Sequence, residues 1–245
     1  MSFAPGRMGR SASFDGKKFI QGGDIAGFES HGSYDDKYSL SAWIYPTNGT
    51  GAIVSKAEDV DEPLGHELVL KDGKVMYSYA SKWLDEAIRV QTEKAISLNQ
   101  WHQVTMTYDG SRYAEGVKIY VDGEPWKYEV QVDDLNNPKP LKRYPLRIGG
   151  GGGPQNRFQG GIADLRIYDR DLTAGEAKIL ADPMTVAEIA AVPADKRTPA
   201  QAEKIHDYFL ENAAPAHIRE ARSQLFAAKA QRDGYYDGIQ TVMVM

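Results

Sequence analysis

Two tryptophans stand among polar residues, Trp83 in Ser81-Lys-Trp-Leu-Asp85 and Trp126 in Glu124-Pro-Trp-Lys127. An indole in such a setting can stack on the apolar face of a sugar or pack at the rim of a fold, and the residue pattern leaves both readings open. A ring covering roughly 100 Å² of apolar surface contributes about 2.5 kcal/mol. That falls short of the ~4 kcal/mol that millimolar affinity requires, so polar groups must assist. Tyr79, Tyr113, Arg143, Asn156 and Arg157 are the nearest loop or strand-end candidates, with a solvated surface role as the alternative for each. The glycine run Gly149 to Gly153 is followed by Pro154 and a strand. A phosphate cradle would continue into a helix opening with Lys and Ser or Thr. The run therefore reads as a rim loop that lets backbone approach a ligand or turns a corner between sheets.

Bond-breaking chemistry finds no pattern. His66-Glu67 lacks the following histidine of a zinc helix, no Gly-x-Ser-x-Gly elbow occurs, and the five histidines are scattered. The absence of cysteine excludes disulfides and thiolate metal sites. Oxygen ligands are plentiful, so calcium is the metal to consider. The acidic loop Asp59, Asp61, Glu62 nevertheless lacks the glycine and terminal glutamate of the calcium-loop pattern and reads as solvated.

The elements that must position these residues are strands. In Trp101-His-Gln-Val-Thr-Met-Thr-Tyr108-Asp-Gly110, Val104, Met106 and Tyr108 alternate with Thr105 and Thr107, the period of two of a strand burying one face. Val117 to Val121 follows, closed by Asp122-Gly123. Ser39 to Tyr45, the pair Glu67 to Leu70 and Lys74 to Tyr79 around Asp72-Gly73, Ile88 to Gln91, Pro145 to Ile148 and Gly161 to Tyr168 complete the set. In the last segment Ile162 and Tyr168 compete with Leu165 and Ile167 for the core face. Trp43 and Trp101, inside strand phrases, read as scaffold. After Asp171 the grammar turns helical. Three capping boxes pair Thr173 with Glu176, Thr185 with Glu188 and Thr198 with Gln201, and an Asp233-Gly234 stop is expected after the last stripe, Ile218, Ala221, Leu225 and Ala228.

The 245 residues, 42% hydrophobic and 26% charged, are those of an ordinary globular protein. A net charge of -5 gives no reason to expect nucleic acid. No apolar run approaches the roughly 20 residues needed to insert in a membrane, and the opening Met-Ser-Phe-Ala-Pro-Gly-Arg lacks the apolar segment of a signal peptide. The bare apolar end Thr241-Val-Met-Val-Met245 suggests a piece of a longer protein. The expected organisation is a β-sandwich over residues 1–181 and a helical extension over 182–245 leading into a further domain.

Tyr38-Ser-Leu-Ser-Ala-Trp43-Ile-Tyr-Pro46, Trp101-His-Gln-Val104, Thr107-Tyr-Asp-Gly110, Ile119-Tyr-Val-Asp-Gly123 and Phe158-Gln-Gly-Gly-Ile-Ala-Asp-Leu-Arg-Ile-Tyr168 resemble, in combination and in order, the laminin-G-like, concanavalin A-like lectin/glucanase jelly-roll superfamily. The resemblance spans roughly residues 10 to 181. The helical remainder, with Lys196-Arg-Thr198, resembles the segment that follows this domain in large planctomycete multidomain surface proteins. The superfamily resemblance implies an all-β fold, a two-sheet antiparallel jelly-roll sandwich, to which the capping boxes add an α-helical C-terminal extension. It also implies a non-catalytic module that binds glycans or proteins, often with structural calcium. By that resemblance Asp15, the carbonyl of Gly16 and Asp164 would hold the ion where the first and last strands pair, although Ala163 stands where relatives often carry a second acid. Sandwich glucanases of this superfamily set acids as Glu-x-Asp-x-Glu along one strand, a series missing from these strand segments. The expectation is thus a carbohydrate-binding, lectin-like module of a larger extracellular or periplasmic protein, with a glycan or neighbouring domains as partners. An architectural docking domain is the alternative, and a glycoside-cleaving enzyme a more remote one.

Overall fold

The computed structural model describes residues 2–7, 9–23, 36–136 and 144–237. Within them the chain forms β1 (Ser2–Gly6), β2 (Gly9–Asp15), β3 (Ile20–Gly23), β4 (Tyr38–Pro46), β5 (Gly51–Ala57), β6 (Gly65–Lys71) and β7 (Lys74–Lys82). Then follow β8 (Glu86–Ala95), β9 (His102–Tyr108), β10 (Val117–Val121), β11 (Glu124–Trp126), β12 (Tyr128–Asp134), β13 (Leu146–Ile148) and β14 (Gln159–Tyr168). Among the described residues these make two antiparallel seven-stranded sheets, ordered β1-β2-β14-β4-β9-β10-β11 and β12-β8-β7-β6-β5-β13-β3. The fold is the expected sandwich. Two hairpins show how the sequence sets register: Asp72-Gly73 and Asp122-Gly123 both hold φ between 53° and 79° at the two turn positions. That is the type I′ geometry whose twist matches antiparallel strands.

Alternation decides which side chains meet between the layers. Tyr38, Leu40, Ala42 and Ile44 of β4 and Val104, Met106 and Tyr108 of β9 face Leu68 and Leu70 of β6, Val75, Tyr77 and Tyr79 of β7 and Ile88 and Val90 of β8. β9 departs from expectation, for every residue of it is buried, the threonines included. The chain after β14 covers that outer side: Ser39 Oγ donates to the Arg170 carbonyl and accepts from the Leu172 N–H. The helix α1 (Ala174–Ala181) then packs on β9 and β11. Trp43 is buried on this outer face instead of between the sheets, and Trp101 is half-buried against Tyr45.

The ambiguity along β14 has a structural cause. The pairing register shifts between Ala163 and Arg166, with Asp164 in the left-handed region at φ 48°. Such a bulge switches the inward face. Ile162 is core before it, and Leu165 and Ile167 pack on the core after it.

The chain divides into Met1–Pro183 and Met184–Met245. In the second unit lie α2 (Val186–Ala191), α3 (Pro199–Tyr208), a π-helical turn Phe209–Ala213 and α4 (Ala216–Asp237). All three capping boxes form, so each threonine oxygen takes an orphan backbone N–H of the first turn. The first of them opens α1, which belongs to the sandwich unit. Arg222 of α4 reaches the carbonyl and carboxylate of Asp207 and the carboxylate of Glu211. The expected stop at Asp233-Gly234 is corrected: α4 continues to Asp237, since one glycine lowers helix stability by about 1 kcal/mol without ending it. No described helix is long and apolar enough to cross a membrane.

Candidate functional site

On the outer face of the second sheet, Ser55, Glu67, Ser78 and Arg89 stand directly opposite one another across β5, β6, β7 and β8. Equal parity places all four on one side. The next row, Ala57, Gly65, Ala80 and Ala87, carries nothing larger than a methyl. Within these two rows Glu67 is the one acid. It is only 2% exposed, and its Oε2 has no hydrogen-bond partner among the described residues. Burial pushes its carboxyl up to about 7, against the pull of Arg89 and Lys71. Arg89 donates from Nε to Ser78 Oγ at 3.3 Å and from Nη2 to the Trp83 carbonyl at 3.1 Å. Its guanidinium lies 3.5 Å from the centre of the Trp83 ring, a stacked cation–π contact.

The glycine run forms the roof. Ser55 Oγ donates to the Gly150 carbonyl at 2.7 Å, and the Gly152 N–H donates to the Glu58 carbonyl at 3.3 Å. A methyl at Gly151, φ 125°, would lie 2.0 Å from Ser55 Oγ. One at Gly152 would meet Asn156 Nδ2 at 2.6 Å and Glu67 Oε2 at 3.1 Å. Only glycine lets this backbone descend on the polar row. Asn156 Nδ2 donates to the Gly152 carbonyl at 2.8 Å and so closes the loop above Glu67. Asp61 and Glu62 are exposed at the rim.

The sequence candidates separate. Trp83 and Asn156 come to this site. Arg157 comes to its edge but is engaged: its two terminal nitrogens bind Asp59 at 2.8 and 2.6 Å, and one also binds the Gly153 carbonyl at 3.1 Å. That pair holds the Asp59 carboxyl below its ordinary range and corrects the reading of Asp59 as a solvated acid. Tyr79 is a correction too. At 1% exposure it lies between the sheets, stacked on His66 with ring centres 4.1 Å apart, because it shares the inward parity of Tyr77 and Val75. Tyr113 is exposed in the β9–β10 connection, where the Ala114 N–H donates to Asp133 at 2.7 Å. Trp126 lines a pocket elsewhere, at the crossing between the sheets. Arg143 lies outside the described residues.

Asp15, Gly16 and Asp164 do not fit a common calcium ion. Asp15 pairs with Gln159, and Asp164 sits five residues farther along β14, about 15 Å at the rise of a strand. Asp15 Oδ1 instead accepts the N–H groups of Lys17 and Lys18, and Asp164 pairs with Arg166 at 3.0 Å. Among the described residues no cluster of three His, Asp or Glu side chains is arranged to hold a metal.

Glu67 and Arg89 escaped sequence reasoning. The available signal was an acid and a base each set inside an apolar strand, Glu67-Leu-Val-Leu and Ile88-Arg-Val. Both faces of those strands are buried, so hydrophobic alternation does not mark the polar positions.

A family model described as the concanavalin A-like lectin/glucanases superfamily matches residues 21–178. Domain 4 of AbnA, a GH43 extracellular arabinanase from Geobacillus stearothermophilus solved with arabinotriose, is 24% identical at TM-score 0.54, over 74% of this chain and 81% of that one. The CBM40 of the Ruminococcus gnavus IT-sialidase, bound to α2,3-sialyllactose, is 11% identical at TM-score 0.56, over 70% and 96%. The binding domain of Paraclostridial Mosquitocidal Protein 1 is 18% identical at TM-score 0.52, over 74% and 45%. At these identities the likeness is one of fold. No curated protein matches the chain.

Proposed function

We infer that this chain, which belongs to the concanavalin A-like lectin/glucanases superfamily, is a non-catalytic carbohydrate-recognition module of a larger exported protein. The observation that carries the reading is Trp83, half-exposed, its ring braced by Arg89 beside the buried carboxyl of Glu67. A fixed aromatic face for a sugar ring, next to Asn156, Asp61 and Glu62 as rim donors and acceptors, is the combination that saccharide binding needs. Two solved relatives in fold carry oligosaccharides, and the arabinanase is extracellular by its own description.

The test is calorimetric and NMR titration with arabino-oligosaccharides, sialyllactose and neutral glucans. We expect at least one class to bind with a dissociation constant of about 1 mM or tighter. Trp83→Ala, folded by circular dichroism, should weaken it about tenfold or more. Silence across the panel, or binding indifferent to Trp83→Ala, overturns the assignment.

A further inference from the structure

We propose that the pocket at Trp126 is a second ligand site, separate from Trp83, that takes a single acidic sugar residue of the uronic acid class. The pocket lies where the chain leaves one sheet for the other. Trp126 of β11 pairs with Ile119 at the edge of the first sheet, and the Lys127 carbonyl accepts the Glu93 N–H at 3.0 Å at the edge of the second. Glu93, Lys94, Pro125, Trp126 and Lys127 enclose about 220 Å³. Pockets for drug-sized molecules occupy roughly 300–1,000 Å³, so this one is sized for one sugar ring. Arg89 of the first site stands four residues before Glu93 on β8, about 13 Å away along the strand.

Three features select the ligand. Trp126 packs partly on the core, which fixes the ring while leaving it half-exposed as a platform for an apolar C–H face. Lys94 and Lys127 line the same pocket, are exposed and make no ion pair with a described residue, so two ammonium groups have donors to spare. Glu93, likewise exposed, lines the pocket and supplies an acceptor for hydroxyls. A neutral sugar would leave both cations unused. A polyanion would need a basic track that a chain of net charge -5 lacks. A pyranose bearing one carboxylate uses the platform, the cations and the acceptor together. The proposal does not rest on the Trp83 site, and the two can fail separately.

The test follows the four tryptophan indole N–H signals of the whole chain by NMR, the Trp126 signal assigned with Trp126→Phe. Methyl glucuronide, methyl glucoside and sodium sulfate are the probes. The Trp126 signal should shift saturably with the glucuronide at low millimolar concentration, and about fivefold more weakly or not at all with the glucoside. Lys94→Gln with Lys127→Gln, both at the surface, should erase that preference, while Trp83→Ala should leave it intact. No shift at about 50 mM glucuronide overturns the proposal. Equal responses to glucuronide and glucoside overturn the acid selection, and an equal response to sulfate reduces the pocket to a general anion site.

Discussion

Glu67 joins an oxygen with no hydrogen-bond partner among the described residues to a carboxyl that burial holds at about 7. Its ordinary value is 4.5, and at 1.36 kcal/mol per pH unit the gap is about 3 kcal/mol. Because the folded state holds this proton more tightly than the unfolded one, the stability it lends is complete below pH 4.5 and is lost as pH rises through 7. His66, held down to about 3 by its burial among the core tyrosines, works in the opposite sense. It stays neutral in the fold while the unfolded chain charges it below pH 6.5, so it costs stability on acidification. The two windows overlap, so the wild-type profile alone cannot separate them. Glu67→Gln keeps the shape and removes the titration. Denaturant unfolding should find the variant close to wild type at pH 4.5 and more stable by up to about 3 kcal/mol at pH 8. A difference that does not change with pH would show that Glu67 is ionised throughout.

At the scale of elements, the connections carry the information that residue alternation cannot. The glycine run was legible as a loop that lets backbone come close. What it comes close to was not, because the partners Ser55 and Glu67 lie about 95 and 85 residues away along the chain and meet it only through sheet order. Capping boxes are local grammar and could be read; the β14 bulge is a conflict between two local patterns and could be resolved only by its neighbours β2 and β4. The loop makes a sharp comparison. Gly151→Ala adds a methyl at φ 125°, 2.0 Å from Ser55 Oγ, so it pays for both strain and overlap. Gly9→Ala adds one at φ 87° with nothing within 4 Å, so only the backbone strain of about 1–2 kcal/mol remains. Chemical denaturation should rank Gly151→Ala as costlier by about 1–3 kcal/mol. Equal losses would mean that the roof is not seated on the polar row.

For the whole molecule the decisive arrangement is where apolar area is buried. Every residue of the inter-sheet core falls between Ala12 and Ile162, and the segments packed on it end at Ile167. Leu172 and Ala177, the buried anchors of the α1 segment, also precede Pro183. The second unit has its own anchor in the buried Ile189, tied by capping and by Arg222, while Leu225 and Phe226 of α4 remain about half exposed. Exposed apolar side chains on a helix are where a docking role for neighbouring domains would reside. If recognition belongs to the sandwich, a chain ending at Pro183 must fold and bind by itself. We expect its melting temperature to lie within about 2 °C of the full chain, a shift corresponding to about 0.5–1 kcal/mol at this size, with saccharide affinity unchanged. A drop of 10 °C or more, or loss of binding, would place part of the core or of the ligand site in residues 184–245. The architectural reading would then displace the recognition one, because a helical unit that holds the sandwich together is acting as a dock.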